Sequence, residues 1–182
     1  VKRELERFVI EEELKRGYQH VHTPDLARIE LYEKSGHYPH YKDSMYAPIE
    51  IDDEKFMLRP MTCPHHFQLY LSRPHSYREL PMRIAELAQL YRYEQSGELM
   101  GLGDRANNKK YYKNDAAWEK SEDLLRKVMQ KRGCKFEEAK DEAAFYGPKI
   151  DIQMKNANGK EDTAFTCQYD FCMPDRFDLS YV

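Results

Sequence analysis

Apolar residues in the first fifth of the chain recur at helical spacing and then alternate. Residues 1–16 have roughly helical spacing and stop before Gly17, which predicts a helix (Val1, Leu5, Phe8, Val9 and Leu14). Residues 18–23 alternate as a strand does, up to Pro24. An amphipathic pattern over residues 26–35, closed by Gly36, predicts a second, short helix.

The next elements are a predicted hairpin and a predicted helix. Residues 45–51 and 55–59 flank an acidic stretch at 52–54, which predicts two antiparallel strands. The second strand leads into a helix, because Pro64 suits a first helical turn and an apolar face follows it (Phe67, Leu69, Tyr70 and Leu71). Residues 90–93 have β-type composition and precede a polar, glycine-containing loop.

The C-terminal part is predicted to hold one long helix and one hairpin. Residues 116–131 have an apolar face, with Asp115 as the predicted N-cap and Gly133 as the stop. Residues 134–136 are predicted to be a short strand. The run AFYGPKIDIQMK, residues 144–155, is predicted to pair through 156–159 with a return strand at 164–171.

Composition favours a folded domain and gives no sign of a general nucleic-acid binder. The 182 residues carry a net charge of -3, a sequence pI of about 6.2 and a mean hydropathy of -0.90. Aromatic residues make up 13%, which argues against disorder. No apolar run is long enough to span a membrane, and we expect no signal peptide. The four cysteines lack C-x-x-C spacing, so we expect a reducing, cytoplasmic location (Cys63, Cys134, Cys167 and Cys172).

Four phrases carry residues suited to chemistry: SGHYPHY at 35–41, LRPMTCP at 58–64, RYEQSGEL at 92–99 and AFYGPKID at 144–151. Arg92 stands before a polar loop, where its planar fork can pair two phosphate oxygens and stays charged. The alternative is a simple ion pair between Arg92 and a neighbouring acid. His37 and His40 belong to a predicted loop, where a histidine is more often a surface group.

In this order the phrases resemble the threonyl-tRNA synthetases, a family of class II aminoacyl-tRNA synthetases. The resemblance implies that Arg92 holds the ATP α-phosphate and the amino-acid carboxylate, while Glu94 helps to seat ATP. It places His37, and not His40, beside the terminal ribose of tRNA, where a histidine can help to remove the attacking hydroxyl proton.

The phrase at 144–151 resembles the part of this family that faces the aminoacyl-adenylate. The resemblance assigns Tyr146 and Lys149 to that contact, and it places Gln168 near the nucleotide. The alternative reading treats Tyr146, Lys149 and Asp151 as one solvated face of a hairpin. We expect Cys167 and Cys172 to be buried or partly buried thiols.

The phrase LRPMTCP resembles the segment that gives this family its zinc-binding cysteine, here Cys63. A zinc ion with three protein ligands leaves room for the amino group and hydroxyl of threonine, and valine lacks that hydroxyl. The resemblance supplies only Cys63; the other two ligands are histidines expected in the strand after the motif 2 loop and beyond residue 182. His65 and His66 are expected on the helix surface.

Part of the family pattern is missing after Leu102. The chain passes directly to the polar run GDRANNKKYYKND, which contains three lysines (Lys109, Lys110 and Lys113). These lysines either contact RNA phosphate or belong to a solvated loop, and we favour the solvated loop. Either residues of a mobile loop are left out of the numbering at Leu102–Gly103, or the segment is deleted; we favour the first. Motif 3 and the editing and anticodon-binding domains are expected to lie outside this chain.

The resemblance covers nearly all of the chain and implies an α+β fold, a mostly antiparallel sheet flanked by helices. We expect residues 1–182 to be a partial catalytic domain with the motif 1 and motif 2 regions, and a homodimer through residues 17–36. The expected activity is activation of threonine with ATP and Mg²⁺ and transfer to tRNA, with the chain inactive by itself. The alternatives are a non-catalytic binding module on this fold and a structural zinc module.

Overall fold

The computed structural model describes residues 1–93, 111–139 and 142–182. They divide into two compact units, Val1–Gly97 with Arg176–Val182 and Glu98–Asp175. The helices are α1 (Lys2–Lys15), α2 (Ile29–Ser35), α3 (His37–His40), α4 (Cys63–Leu71), α5 (Asp115–Lys131) and α6 (Met173–Arg176). The strands are β1 (Gln19–His20), β2 (Leu26–Arg28), β3 (Ile49–Ile51), β4 (Glu54–Leu58), β5 (Ile84–Ala85), β6 (Lys149–Lys155) and β7 (Glu161–Gln168). Short 3₁₀ turns occur at Lys42–Ser44 and Tyr77–Glu79.

The first helix and its stop are confirmed. Helix α1 ends where Gly17 takes a positive φ of 77°, a conformation that glycine adopts without a Cβ penalty. The following strand is shorter than predicted, because β1 pairs over only two residues, in parallel with β5. None of the residues of α1 is buried, and its apolar side chains are exposed within this chain except Ile10, which is half-buried.

The prediction of a helix over residues 26–35 is wrong for its first three residues. Leu26–Arg28 form β2 and pair antiparallel with Phe56–Leu58 of β4, so the helix begins at Ile29. Local periodicity cannot reveal a pairing with a strand some thirty residues away. Helix α2 then packs on this sheet through a core of four buried residues (Ile29, Tyr32, Met45 and Met57).

The predicted hairpin at 45–59 is confirmed with a shorter first strand. Strands β3 and β4 pair antiparallel, and both residues of the connecting turn have positive φ (Asp52, 47°; Asp53, 66°). Aspartate tolerates this conformation in tight turns better than most residues do. Helix α4 is also confirmed, with Pro64 in its first turn.

Residues 90–93 are not a strand, although their composition predicts one. Their backbone is held by isolated hydrogen bonds: the Tyr91 amide donates to the Arg59 carbonyl (3.0 Å) and the Tyr93 amide to the Ser44 carbonyl (2.9 Å). The segment therefore lies along the end of β4 without a regular ladder.

In the second unit the long helix and the hairpin are confirmed, with corrections. The N-cap of α5 is Asn114, whose side chain accepts from the Ala117 amide (3.1 Å), and Asp115 is the first helical residue. Residues 134–136 are not a strand. Strands β6 and β7 form the predicted antiparallel hairpin, with the return strand starting and ending three residues early. Cys172 is buried, but Cys167 is exposed on β7, which corrects its prediction.

The sheets of the described residues are β1–β5, β2–β4–β3 and β6–β7. Only the first is parallel, so the α+β class with mostly antiparallel pairing is confirmed. Among the described residues no helix combines the length and the apolar character needed to cross a bilayer.

Candidate active-site residues

His37 is buried in the corner between α2 and α3. Its side chain is 1% exposed, so the surface alternative is wrong for this histidine, while His40 is exposed. The corner forms because Gly36 ends α2 in the left-handed conformation, with φ 76°. A Cβ at Gly36 would collide with the guanidinium of Arg176. The phrase S-G-H therefore places an imidazole directly after a turn that glycine permits.

The environment of His37 keeps its imidazole neutral near pH 7. Burial lowers its pKa from 6.5 to about 4, and the positive charges of Arg176, His40 and Arg92 act in the same direction. Its Nδ1 lies 2.7 Å from the hydroxyl of Ser35. A neutral imidazole has a nitrogen lone pair available to accept a proton.

Arg92 is exposed and oriented by the backbone. Its Nε donates to the Pro60 carbonyl (3.2 Å), and the Tyr91 and Tyr93 amides fix the chain on either side. Within the described parts of the chain, Arg92 makes no ion pair, so the simple ion-pair alternative finds no support there. An exposed guanidinium of this kind is chemically suited to bind an anion. Glu94 lies outside the described residues.

Cys63 begins α4 and is exposed at its N-terminal end. In residues 1–93, 111–139 and 142–182, no three His, Cys, Asp or Glu side chains are grouped to hold a metal ion. The prediction that both neighbouring histidines are surface residues is wrong for His65, which is 7% exposed. His66 is partly buried, and its Nε2 lies 2.8 Å from a carboxylate oxygen of Glu86.

A buried network of charged side chains holds the segment at residues 58–64 through Arg59. This network was not predicted from the sequence. Arg59 and Glu86 have side chains 1% exposed and pair at 3.0 Å. Glu86 also accepts from the Thr23 amide (2.8 Å), and a second Arg59 nitrogen pairs with Asp25 (2.7 Å). Burial by itself raises the pKa of Glu86, but hydrogen bonds from Thr23, His66 and Arg59 lower it to about 2. The signal in the sequence was one arginine and one glutamate within apolar runs.

The second unit brings three predicted residues together at the start of its hairpin. Lys149 and Gln168 are paired residues of β6 and β7, and the Tyr146 hydroxyl donates to Gln168 Oε1 (2.7 Å). Lys149 forms an ion pair with Asp151, and their side chains are 10% and 12% exposed. The solvated-face alternative is therefore wrong for this pair. Asp151 was not predicted as a site residue, although its i+2 spacing on a strand places it on the same face as Lys149.

The close approach of two chain segments holds this group in place. A Cβ at Gly147 would collide with the Tyr169 carbonyl, so only glycine fits there. The Tyr169 amide donates to Pro148 (2.9 Å) and the Phe171 amide to Tyr146 (3.3 Å).

The predicted site residues thus fall into two sets. His37, Cys63 and Arg92 belong to the first unit, whereas Tyr146, Lys149 and Gln168 belong to the second. Of the basic residues predicted in the polar run, Lys113 is exposed, and Lys109 and Lys110 lie outside the described residues, as does the Leu102–Gly103 junction.

Comparisons with known proteins agree across sequence and structure. A family model described as the tRNA synthetase class II core domain (G, H, P, S and T) matches residues 46–182. A threonine–tRNA ligase from a Geobacillus species is 41% identical over the whole chain. The structure of an RNA-binding domain of threonyl-tRNA synthetase from Cryptosporidium parvum covers 97% of the chain with a TM-score of 0.86 and 28% identity, and the chain covers 55% of it. A putative threonyl-tRNA synthetase from Aeropyrum pernix covers 91% with a TM-score of 0.74 and 27% identity, and the chain covers 50% of it.

The chain spans 36% of the length of the Geobacillus relative. That alignment extends over 231 positions, although the chain has 182 residues. The relative therefore carries internal positions that have no counterpart here.

Proposed function

Because the chain belongs to the family of class II tRNA synthetase core domains, we propose that it is part of the catalytic core of a threonine–tRNA ligase. Such a core activates threonine with ATP, releases pyrophosphate and transfers threonine to tRNA, the aminoacylation step of protein biosynthesis. The exposed, backbone-anchored guanidinium of Arg92 is the observation that carries this proposal. Glu94 would help to seat ATP beside it.

Arg92 serves the activation step by placing positive charge where negative charge develops. The threonine carboxylate attacks the α-phosphorus of ATP in line, a new O–P bond forms, and the bond to the pyrophosphate oxygen breaks. With Nε held by the Pro60 carbonyl, the remaining donors of Arg92 can bind the α-phosphate and the carboxylate. A donor fixed before the reaction needs no reorganisation as the charge grows, so its contribution appears in kcat.

His37 serves the transfer step. A terminal ribose hydroxyl attacks the carbonyl carbon of threonyl-adenylate, AMP leaves, and the hydroxyl proton passes to the imidazole. The lowered pKa of His37 keeps the imidazole neutral, so it is in the proton-accepting form at neutral pH.

The group in the second unit binds the adenylate. Lys149 is the cation, held by Asp151, and Tyr146 is a hydroxyl already directed by Gln168. Since the Tyr146 proton is donated to Gln168, the amide NH₂ of Gln168 remains a donor for the nucleotide. Each side chain is preorganised by a neighbour on the same hairpin.

The two metal ions implied by the family, Mg²⁺ and Zn²⁺, fit the residues of this chain to different degrees. Mg²⁺ would accompany ATP and add positive charge at the phosphates. Zinc fits poorly, because within the described ranges no group of three or more His, Cys, Asp or Glu side chains is placed to hold a metal ion. A zinc site in the longer protein would need histidines from other segments.

We extend the proposal to the organisation of the protein. Residues 1–182 act as a partial catalytic domain whose motif 2 loop is interrupted near 102–103. The alignment length of 231 supports an interruption but does not give its position. The protein acts in the cytoplasm as a homodimer that pairs through residues 17–36. The preceding helix α1 exposes Leu5, Phe8 and Leu14, apolar side chains that a partner subunit would cover. Light scattering that gives a monomer for the longer protein would contradict the dimer.

Threonine-dependent exchange of pyrophosphate into ATP tests the function. We expect exchange from the longer protein, little from the 182-residue chain, and loss of exchange in Arg92→Ala. Arg78→Ala is the matched control, because Arg78 is also exposed in the first unit but lies outside the four phrases. Absence of threonine-dependent exchange from the longer protein would favour a binding module without catalysis. Equal exchange by the two variants would remove Arg92 from the activation step.

A further inference from the structure

The serine before the Gly36 turn is placed to decide which nitrogen of His37 carries the proton. Ser35 is completely buried, and its hydroxyl oxygen has two neighbours at hydrogen-bond distance. One is the carbonyl of Tyr32 (3.0 Å), and the other is Nδ1 of His37 (2.7 Å). A carbonyl only accepts hydrogen bonds, whereas an imidazole nitrogen donates or accepts according to its tautomer.

The hydroxyl of Ser35 has a single hydrogen, and the end of α2 provides a carbonyl that accepts it. The Gly36 amide, four residues after Tyr32, donates instead to the Glu33 carbonyl (3.0 Å) because the helix tightens at its last turn. The Ser35 hydroxyl donates to the Tyr32 carbonyl. With its hydrogen used there, the Ser35 oxygen can only accept from His37.

We infer that Ser35 is a positioning residue that holds His37 in the Nδ1–H tautomer, so that Nε2 is the basic nitrogen. The inference about the tautomer rests on the hydrogen-bond geometry alone. Its consequence for catalysis rests on the proposed function: the ribose hydroxyl proton must pass to Nε2, and the opposite tautomer would present an N–H to it. A histidine is commonly fixed in this way by the bond that its other nitrogen makes.

Further contacts hold this corner rigid. The Arg176 guanidinium donates to the Ser35 carbonyl (2.5 Å) and occupies the space that a side chain at position 36 would need. The His37 ring also lies 6.0 Å from the Tyr41 ring. Burial lowers the pKa of His37, and the Arg176 cation against the turn acts in the same direction, so the ring is neutral near pH 7. The hydrogen bond to Ser35 then decides which nitrogen carries the proton.

Nitrogen NMR of the ¹⁵N-histidine-labelled chain tests the inference without any substitution. Protonated and unprotonated ring nitrogens resonate in separate ranges, and the chain has seven histidines to assign. At pH 7 we expect a protonated Nδ1 and an unprotonated Nε2 for His37. A protonated Nε2, in either the neutral or the charged ring, would overturn the inference.

Ser35→Ala tests the role of the serine. The variant should lose the preference for one tautomer, and in the longer protein the transfer rate should fall about tenfold, the weight of one ordinary hydrogen bond, with adenylate formation unchanged. Ser121→Ala is the matched control, since Ser121 is buried and donates to the Trp118 carbonyl (3.0 Å). Ser35→Thr keeps the hydroxyl and should keep the tautomer.

A folded Ser35→Ala protein with an unchanged tautomer would refute the inference. If the tautomer shifts while transfer does not, the inference stands and the role of His37 in the proposed function fails. If Ser35→Ala does not fold, the measurement on the unsubstituted chain still decides the tautomer.

Discussion

Replacing Glu86 by glutamine should destabilise the first unit through the loss of one buried negative charge. Glu86 joins three parts of the chain, because it accepts from the Thr23 amide, the Arg59 guanidinium and the His66 ring. Glutamine has a similar shape and keeps one carbonyl acceptor. The substitution therefore isolates the charge, and it leaves Arg59, which is 1% exposed, with Asp25 as its ion-pair partner.

The pKa of Glu86 gives the magnitude. The pKa falls from 4.5 to about 2 on folding, and each unit is worth about 1.4 kcal/mol, so the charge stabilises the fold by about 3 kcal/mol. The folded-state pKa is the lower one, so this stabilisation is complete above about pH 5 and is lost as the pH falls towards 2. We therefore expect Glu86→Gln to cost about 3 kcal/mol at pH 7 and close to nothing near pH 2.

Urea denaturation of both proteins at several pH values between 2 and 7 measures this difference. Glu12→Gln is the matched control, because Glu12 also pairs with two cations, Lys15 and Arg16, but lies at the surface, where solvent screens the pairs. A small loss for Glu86→Gln at pH 7 would refute the reasoning. A loss that does not shrink as the pH falls would refute it as well.

Two further predictions concern the zinc ligand and the second unit. The 182-residue chain should retain zinc weakly or not at all after dialysis against a mild chelator; metal analysis that finds one tightly held zinc per chain, lost in Cys63→Ala, would show that local groups complete the site. Asp151→Asn should lower the free energy of unfolding by roughly 3 kcal/mol, because it leaves the nearly buried Lys149 without its ion-pair partner. In the same denaturation assay, adding Lys149→Met should restore part of that loss. Additive losses from the two substitutions would contradict the prediction.

Features that depend on neighbouring residues were predictable from the sequence. The stop of α1 at Gly17 and that of α2 at Gly36 follow from the left-handed conformation that glycine adopts. The β3–β4 hairpin and the start of α4 at Pro64 follow from turn and first-turn preferences. In each case the physical cause lies within a few residues of its effect.

Features that depend on distant residues were not predictable. Leu26–Arg28 become a strand because β4 lies beside them, and residues 90–93 fail to become one because they bond to separate points. Of the candidate site, the phrases identified the side chains, but the burial of His37 and the pairing of Arg59 with Glu86 arise only in the folded chain. The sequence therefore supplied candidate side chains, whereas how each is held is visible only in the folded chain.

Adenylate formation by the Arg92→Lys variant of the longer protein tests the central claim most directly. Lysine keeps the positive charge but loses the planar fork and the Nε donor to Pro60. We predict that the kcat for adenylate formation, measured before the steady state, falls by about 10² or more, with an unchanged midpoint of thermal unfolding. A near-normal kcat would contradict the account, and so would a loss of stability large enough to explain the fall.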